Sequence, residues 1–220
     1  MKYFQLFLND QECNNWIAFQ EIRKPPYVML RARYGDLICP KCERFSHEDV
    51  FERGFDTDIR IRAKGDIIRS EDGFDCVNER VRSLIEKNRF QGIVLKQLPN
   101  TDWYAAKITC CVDADRSAFK FSGPFCEICR RPREVTGTLN FLRQIDVPKH
   151  DITFFAPNFD RVGSFSANRD RFLTEDIALC FQQQKLKAGI LERLLDSQEE
   201  AHLNNTLAKG QKFKWPQIKL

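Results

Sequence analysis

Short apolar blocks of two periods run along this chain, and together they predict a mixture of strands and helices. Lys2 to Leu8 (KYFQLFL) is aromatic and β-favouring and reads as a strand. Asn9, Asp10, Asn14 and Asn15 mark a turn, and Trp16 to Phe19 reads as a second short strand. Pro25 and Pro26 break the chain, after which Tyr27 to Tyr34 (YVMLRARY) resumes extended. Gly35-Asp36 turns it towards Leu37-Ile38. Phe45 to Arg62 is acid-rich and reads as a loop or short helix, within which Asp58 to Arg62 (DIRIR) alternates as a strand would. Further strands are predicted at Asp66 to Arg69, Ile93 to Leu98, Trp103 to Val112, Val135 to Leu142, Asp151 to Ala156 and, as a strand or second short helix, Ile190 to Leu195.

Two segments carry the helical period. In the first, Val77, Val81, Leu84 and Ile85 form an apolar stripe, with Asn78 as N-cap and Glu79 in the first turn. In the second, Leu173, Ile177, Cys180 and Phe181 form the stripe, with Thr174 as N-cap and Glu175 and Asp176 following. Laid on one another, Val77 falls on Leu173, Asn78 on Thr174, Glu79 on Glu175 and Ile85 on Phe181. Gly92 and Gly189 follow the two helices, one residue out of register, and an apolar segment follows each. This reads as a duplicated strand–helix–strand unit, although any two amphipathic helices share part of the pattern. The expected class is α+β, with two similar strand–helix–strand units around a zinc-ribbon-like four-cysteine site. Residues 1–146 would hold that site and the first unit, 147–197 the second unit packed on it, and 198–220 a basic tail, mobile or docked through Phe213 and Trp215.

The 220 residues are 42% hydrophobic and 30% charged, an ordinary globular balance. The net charge of +4 permits nucleic-acid binding but does not argue for it, because Lys and Arg are scattered among Asp and Glu. No run approaches a membrane span, and Met1 to Leu8 is too short for a signal segment, so a cytosolic protein is expected. In a reducing compartment nine cysteines are free thiols or metal ligands rather than disulfides.

Four of the nine form two pairs, Cys39-Pro40-Lys41-Cys42 and Cys126-Glu127-Ile128-Cys129, the number of thiolates that a tetrahedral zinc site needs. One ion holding Cys39, Cys42, Cys126 and Cys129 would close residues 43–125 into an excursion. Its net negative charge calls for nearby cations, and Lys41, Arg44, Arg130, Arg131 and Arg133 are adjacent in sequence. A redox dithiol or unligated thiols are the alternatives. Cys110 and Cys111, being neighbours, cannot easily share an ion; packing is expected for one of them and for Cys13, Cys76 and Cys180. His47, near the first pair, is a remote replacement ligand. No phosphate-loop, nucleophile-elbow or H-E-x-x-H motif is present, and no carboxylate pair stands out, so no catalysis is expected.

The two widely spaced pairs, with the segments Val77 to Leu98 and Leu173 to Leu195, resemble the double-CXXCG motif proteins, immunity proteins of bacterial polymorphic toxin systems. The resemblance covers Leu37 to Leu195 and implies a cytosolic antitoxin that binds one cognate toxin protein and has structural zinc. Where that family has Gly after each second Cys, this chain has Glu43 and Arg130, which would have to adopt tight turn conformations, φ > 0 among them. Clustering offers two acidic faces for the toxin: Glu48, Asp49, Glu52, Asp56 and Asp58, and Glu71, Asp72 and Asp75. A zinc-ribbon nucleic-acid-binding protein is the alternative, with Lys41, Arg130, Arg131 and Arg133 as its phosphate patch. A thiol enzyme with one activated cysteine is a third class.

Overall fold

Strand- and helix-forming blocks alternate along the chain, and the computed structural model shows where each comes to rest. It describes residues 2–8, 17, 19–21, 28–30, 32–70, 72–130, 134–137, 139–146, 152–157, 161–162, 166–168 and 171–220. Before the first helix come β1 (Tyr3–Leu8), β2 (Phe19–Glu21), β3 (Val28–Leu30), a 3-10 helix over Ala32–Leu37 and β4 (Phe45–Ser46). Helix α1 (His47–Arg53), capped by the Ser46 hydroxyl, leads to β5 (Ile67–Arg69), β6 (Asp75–Asn78), α2 (Glu79–Lys87), β7 (Ile93–Gln97), β8 (Trp103–Ile108) and β9 (Cys111–Val112). The hairpin β10 (Phe119–Ser122) and β11 (Glu134–Gly137) precedes β12 (Phe154–Pro157), β13 (Arg161–Val162) and β14 (Ser166–Asn168). The chain closes with β15 (Phe172–Thr174), α3 (Glu175–Gln183), β16 (Gly189–Arg193), α4 (Ser197–Ala208) and β17 (Gln217–Lys219). The protein is α+β. No helix among the described residues is long and apolar enough to cross a membrane.

Two sheets dominate. One is ordered β5-β6-β8-β7; the other is ordered β17-β16-β1-β15-β12-β9. The inner four strands of the second, β12-β15-β1-β16, repeat the first with α3 in place of α2. Asn88 and Gln184 donate to the carbonyls of Leu84 and Cys180, and Phe90 and Leu186 to those of Ile85 and Phe181. Arg89 and Lys185 then take matching positive φ angles of 53° and 50°. These equivalent hydrogen bonds and turns make the repeat a duplication of backbone structure, not merely of helical pattern.

The two copies differ in how the chain supplies one strand. In the first unit β8 follows β7 through a tight turn at Asn100. In the second the equivalent strand is β1, from the other end of the chain: Phe4 pairs with Leu173 and Arg193, as Tyr104 pairs with Val77 and Gln97. The units are thus circular permutations of each other, and the expected boundary at 146/147 does not separate them. β1 belongs with residues 172–193, because only there do its backbone groups find partners on both edges.

Each unit also inserts into the other. Thr153, just before β12, and Phe154, its first residue, donate their N–H groups to the Gln91 carbonyl beyond α2. Reciprocally, Asp66 and Ile67 donate to the Lys187 carbonyl beyond α3. The side chains repeat the exchange: the Gln91 N–H reaches Thr153 Oγ1 at 2.6 Å, and the Lys187 N–H reaches Asp66 Oδ2 at 2.8 Å. Between the units lies a core of Phe4, Leu6, Val77, Val81, Ile85, Leu173, Ile177, Phe181 and Leu191. Burying each such side chain contributes about 1.5–3 kcal/mol, and here the two units share that gain. Equivalent residues Asp75 and Arg171 form an ion pair where the sheets face each other, with Arg69 also on Asp75. A second core, rich in rings (Tyr34, Phe45, Phe51, Phe55, Phe74, Trp103), fills the opposite face of the first sheet beneath α1.

Four expectations are corrected here. Asp58 to Arg62 forms no strand, and Ala32–Leu37 winds into a 3-10 helix with Tyr34 buried in the ring-rich core. The strand expected over Trp103 to Val112 breaks into β8 and β9: β8 stays on the β7 ladder, whereas β9 pairs in parallel with β12. The tail is ordered: α4 has a capping box of Asp196 and Glu199, and β17 pairs with β16, assisted by a Trp215 indole bond to the Arg193 carbonyl. Trp16, Cys13, Pro25 and Pro26 lie outside the described residues.

Candidate metal centre

Both cysteine pairs fold into the same turn. The Glu43 N–H donates to the Cys39 carbonyl at 2.9 Å, and the Arg130 N–H to the Cys126 carbonyl at 2.8 Å. Glu43 and Arg130 then stand at φ 57° and 59°, the left-handed conformation that a residue other than glycine has to accept there. The first turn follows the 3-10 helix rather than the expected strand; the second lies between the antiparallel strands β10 and β11.

The fold brings Cys39, Cys42, Cys126 and Cys129 together, with all four sulfurs within 4.8 Å of one another. Cys39 Sγ lies 3.7 Å from Cys126 Sγ, and Cys42 Sγ lies 3.5 Å from Cys129 Sγ. A tetrahedron with metal–sulfur bonds of about 2.3 Å has sulfur–sulfur edges of about 3.8 Å, so this spacing suits an ion at the centre. It is far too long for the disulfide bond length of about 2.05 Å. Four sulfurs complete a tetrahedral shell and leave no open position for a reacting ligand.

Charge compensation comes chiefly from the backbone. The N–H groups of Cys42 and Lys41 point at Cys39 and hold its thiol down to about 6. Those of Cys129 and Ile128 lower Cys126 in the same way. Burial pushes Cys42 up to about 12, against the Arg44 N–H, which favours its thiolate. Nearby cations contribute less than sequence adjacency suggests: Lys41 is paired with Glu127, an ion pair that also spans the two turns. Arg131 and Arg133 lie outside the described residues.

The other candidates fall elsewhere. The His47 ring bonds the Asp72 carbonyl at 2.6 Å and meets Phe74 edge-on, so it is not turned to the sulfurs. Cys76 is buried, Cys110 and Cys180 half-buried and Cys111 exposed. The first acidic face is largely neutralised: Glu48 and Glu52 both reach Lys107, and Asp56 reaches Arg33. Asp49 and Asp58 are exposed. Asp72 and Asp75 belong to no surface face. Asp72 is 1% exposed and accepts the Ile17 N–H, and Asp75 is committed to Arg69 and Arg171. Clustering in sequence puts both on a surface face, because it cannot see buried partners distant in sequence. Glu71 lies outside the described residues. Sequence reasoning passed over Phe125 and Ile128, exposed on the second turn; their signal is an apolar residue placed before and inside a short polar turn. Comparison of the chain with family models, with curated proteins and with solved structures finds no match.

Proposed function

We propose that Cys39, Cys42, Cys126 and Cys129 hold Zn2+ as a structural ion, and that the chain is a cytoplasmic immunity protein that binds and neutralises a cognate bacterial toxin. The four-sulfur cluster carries the zinc reading: a closed shell of thiolates with tetrahedral edges suits Zn2+ above metals that favour oxygen. A metal so enclosed ties residues 39–42 to the β10–β11 hairpin and leaves function to the protein surface. The antitoxin reading is supported by the resemblance in the two cysteine pairs and the two helical segments, whose duplication extends to matched hydrogen bonds. Within the first acidic face, the exposed side of α1 carries Asp49 beside Glu48, whose carboxylate is shared with Lys107, and this side is the part offered to a basic toxin surface.

Two measurements test this. Elemental analysis of the purified chain is expected to give about one zinc per chain, with loss of thermal stability on chelation; a ratio well below that refutes the site. Co-expression with the product of the neighbouring open reading frame is expected to yield a tight 1:1 complex, weakened when Glu48→Lys and Asp49→Lys are combined. A chain that ignores that protein but binds DNA or RNA with a steep salt dependence is instead a zinc-ribbon nucleic-acid binder.

A further inference from the structure

The duplication provides an internal control for one surface. In β16 the backbone groups of Gly189, Leu191 and Arg193 point away from β1 and bond β17: Arg193 donates to the Pro216 carbonyl, and Leu220 to the Gly189 carbonyl. The equivalent strand is β7. The pairs Gly92–Thr109 and Leu98–Trp103 are hydrogen-bonded to each other, so by antiparallel alternation Val94 and Lys96 also bond β8. The N–H and C=O groups of Ile93, Leu95 and Gln97 therefore point outwards. Among the described residues no strand pairs with that edge.

Its sequence is Ile-Val-Leu-Lys-Gln, with Val94 47% exposed. Edge strands are ordinarily blunted by charge, proline or a bulge; here three consecutive apolar residues stand at the edge with Lys96 as the one charge. Lys96 itself is drawn back over the Phe51 ring.

We infer that this edge pairs with the β7 edge of a second copy of the chain, in an antiparallel two-fold dimer centred on Leu95. The strand is self-complementary in that register. Residues 93, 95 and 97 all offer outward backbone groups, so Ile93 bonds Gln97 of the other copy and Leu95 bonds Leu95. Leu95 meets its own counterpart on the α2 side, as Leu191 meets Ile218 in the second unit. Val94 lies opposite Lys96, so no like charges face each other directly. Shifting the register to centre on Lys96 would oppose the two lysines and shorten the overlap. A two-fold pairing also closes: it uses up both edges and cannot propagate. The inference stands apart from the antitoxin reading.

Sedimentation or light scattering over a range of concentrations of the zinc-loaded full chain tests it. The expected mass rises with concentration towards twice 25.8 kDa. Val94→Lys, at an exposed position, places cations directly opposite Lys96 and is expected to weaken association about tenfold or more. Val94→Glu is expected to keep or tighten it. Gln97→Pro removes an outward N–H that the β8 ladder does not use and is expected to give monomer, with circular dichroism and zinc content unchanged. A monomer at every concentration overturns the inference. So does a dimer that Val94→Lys and Gln97→Pro leave untouched, since that dimer must use another surface, such as the exposed Phe125 and Ile128.

Discussion

At the scale of single residues, Glu43 and Arg130 stand where glycine would be at ease. Left-handed backbone costs an L-residue roughly 1 kcal/mol or more, whereas glycine bears only the larger entropy of its unfolded chain. Both side chains are exposed, and neither is needed to form the turn, whose bonds are made by the backbone. Glu43→Gly and Arg130→Gly are each expected to stabilise the zinc-loaded protein by about 0.5–1 kcal/mol, read as a rise in melting temperature without change in zinc content. An unchanged or lower melting temperature would show that each side chain contributes more than its conformation costs. These positions were legible beforehand because the family pattern that the cysteine pairs resemble has glycine at both. Asp72 and Asp75 were not, because acidity in sequence gives no sign of whether a carboxylate meets water, a backbone N–H or a buried guanidinium.

Among the elements, α2 and α3 were the most legible. Each has a stripe, a first-turn acid and a polar residue at its start, and these act over a few residues. Even so, the caps are unequal: Asn78 accepts from the Val81 N–H, whereas Thr174 makes no side-chain cap bond. The exits differ more. Gly92 has φ 88°, and a Cβ there would lie 2.0 Å from the Phe154 carbonyl oxygen. Its equivalent in the second unit is Ala188, so the close approach is a property of one exit and not of the repeat. Gly92→Ala is expected to cost about 3 kcal/mol, from strained backbone and a steric clash that forces β12 off the first unit. Denaturant unfolding checks this; a loss under 1 kcal/mol would mean that the units yield there. The strand expected at Asp58 to Arg62 failed for the opposite reason. Alternation gives a strand only where the segment lies along a partner edge, and residues 58–62 pair with none of the described strands.

For the molecule as a whole, what the sequence could not show was long-range pairing. That β1 and β8 are equivalent is invisible to pattern reading, since YFQLFL and WYAAKI share little beyond aromatic beginnings. The order of the tail depends likewise on β16, some twenty residues upstream. Ending the chain after Gly210 removes β17 with Ile218 and Leu220, which pack on the shared core, and Trp215 with its indole bond. The expected loss is about 2–4 kcal/mol, or roughly 5–10 °C in melting temperature. With the β16 edge opened, stronger self-association should accompany it. A truncated chain as stable as the full one would show that β17 is dispensable.

The permuted strand has a consequence for how the chain reaches this structure. Residues 67–108 can assemble the first sheet from a contiguous stretch while the rest is still being made. β1 is made before the strands it pairs with and must wait for them, since Leu173 and Leu191, its neighbours on either side, emerge far later. At about 5–20 residues per second it waits on the order of ten seconds or more with an aromatic, apolar face unpaired. The first unit folds locally and fast, and the second is bound to a slow, non-local step.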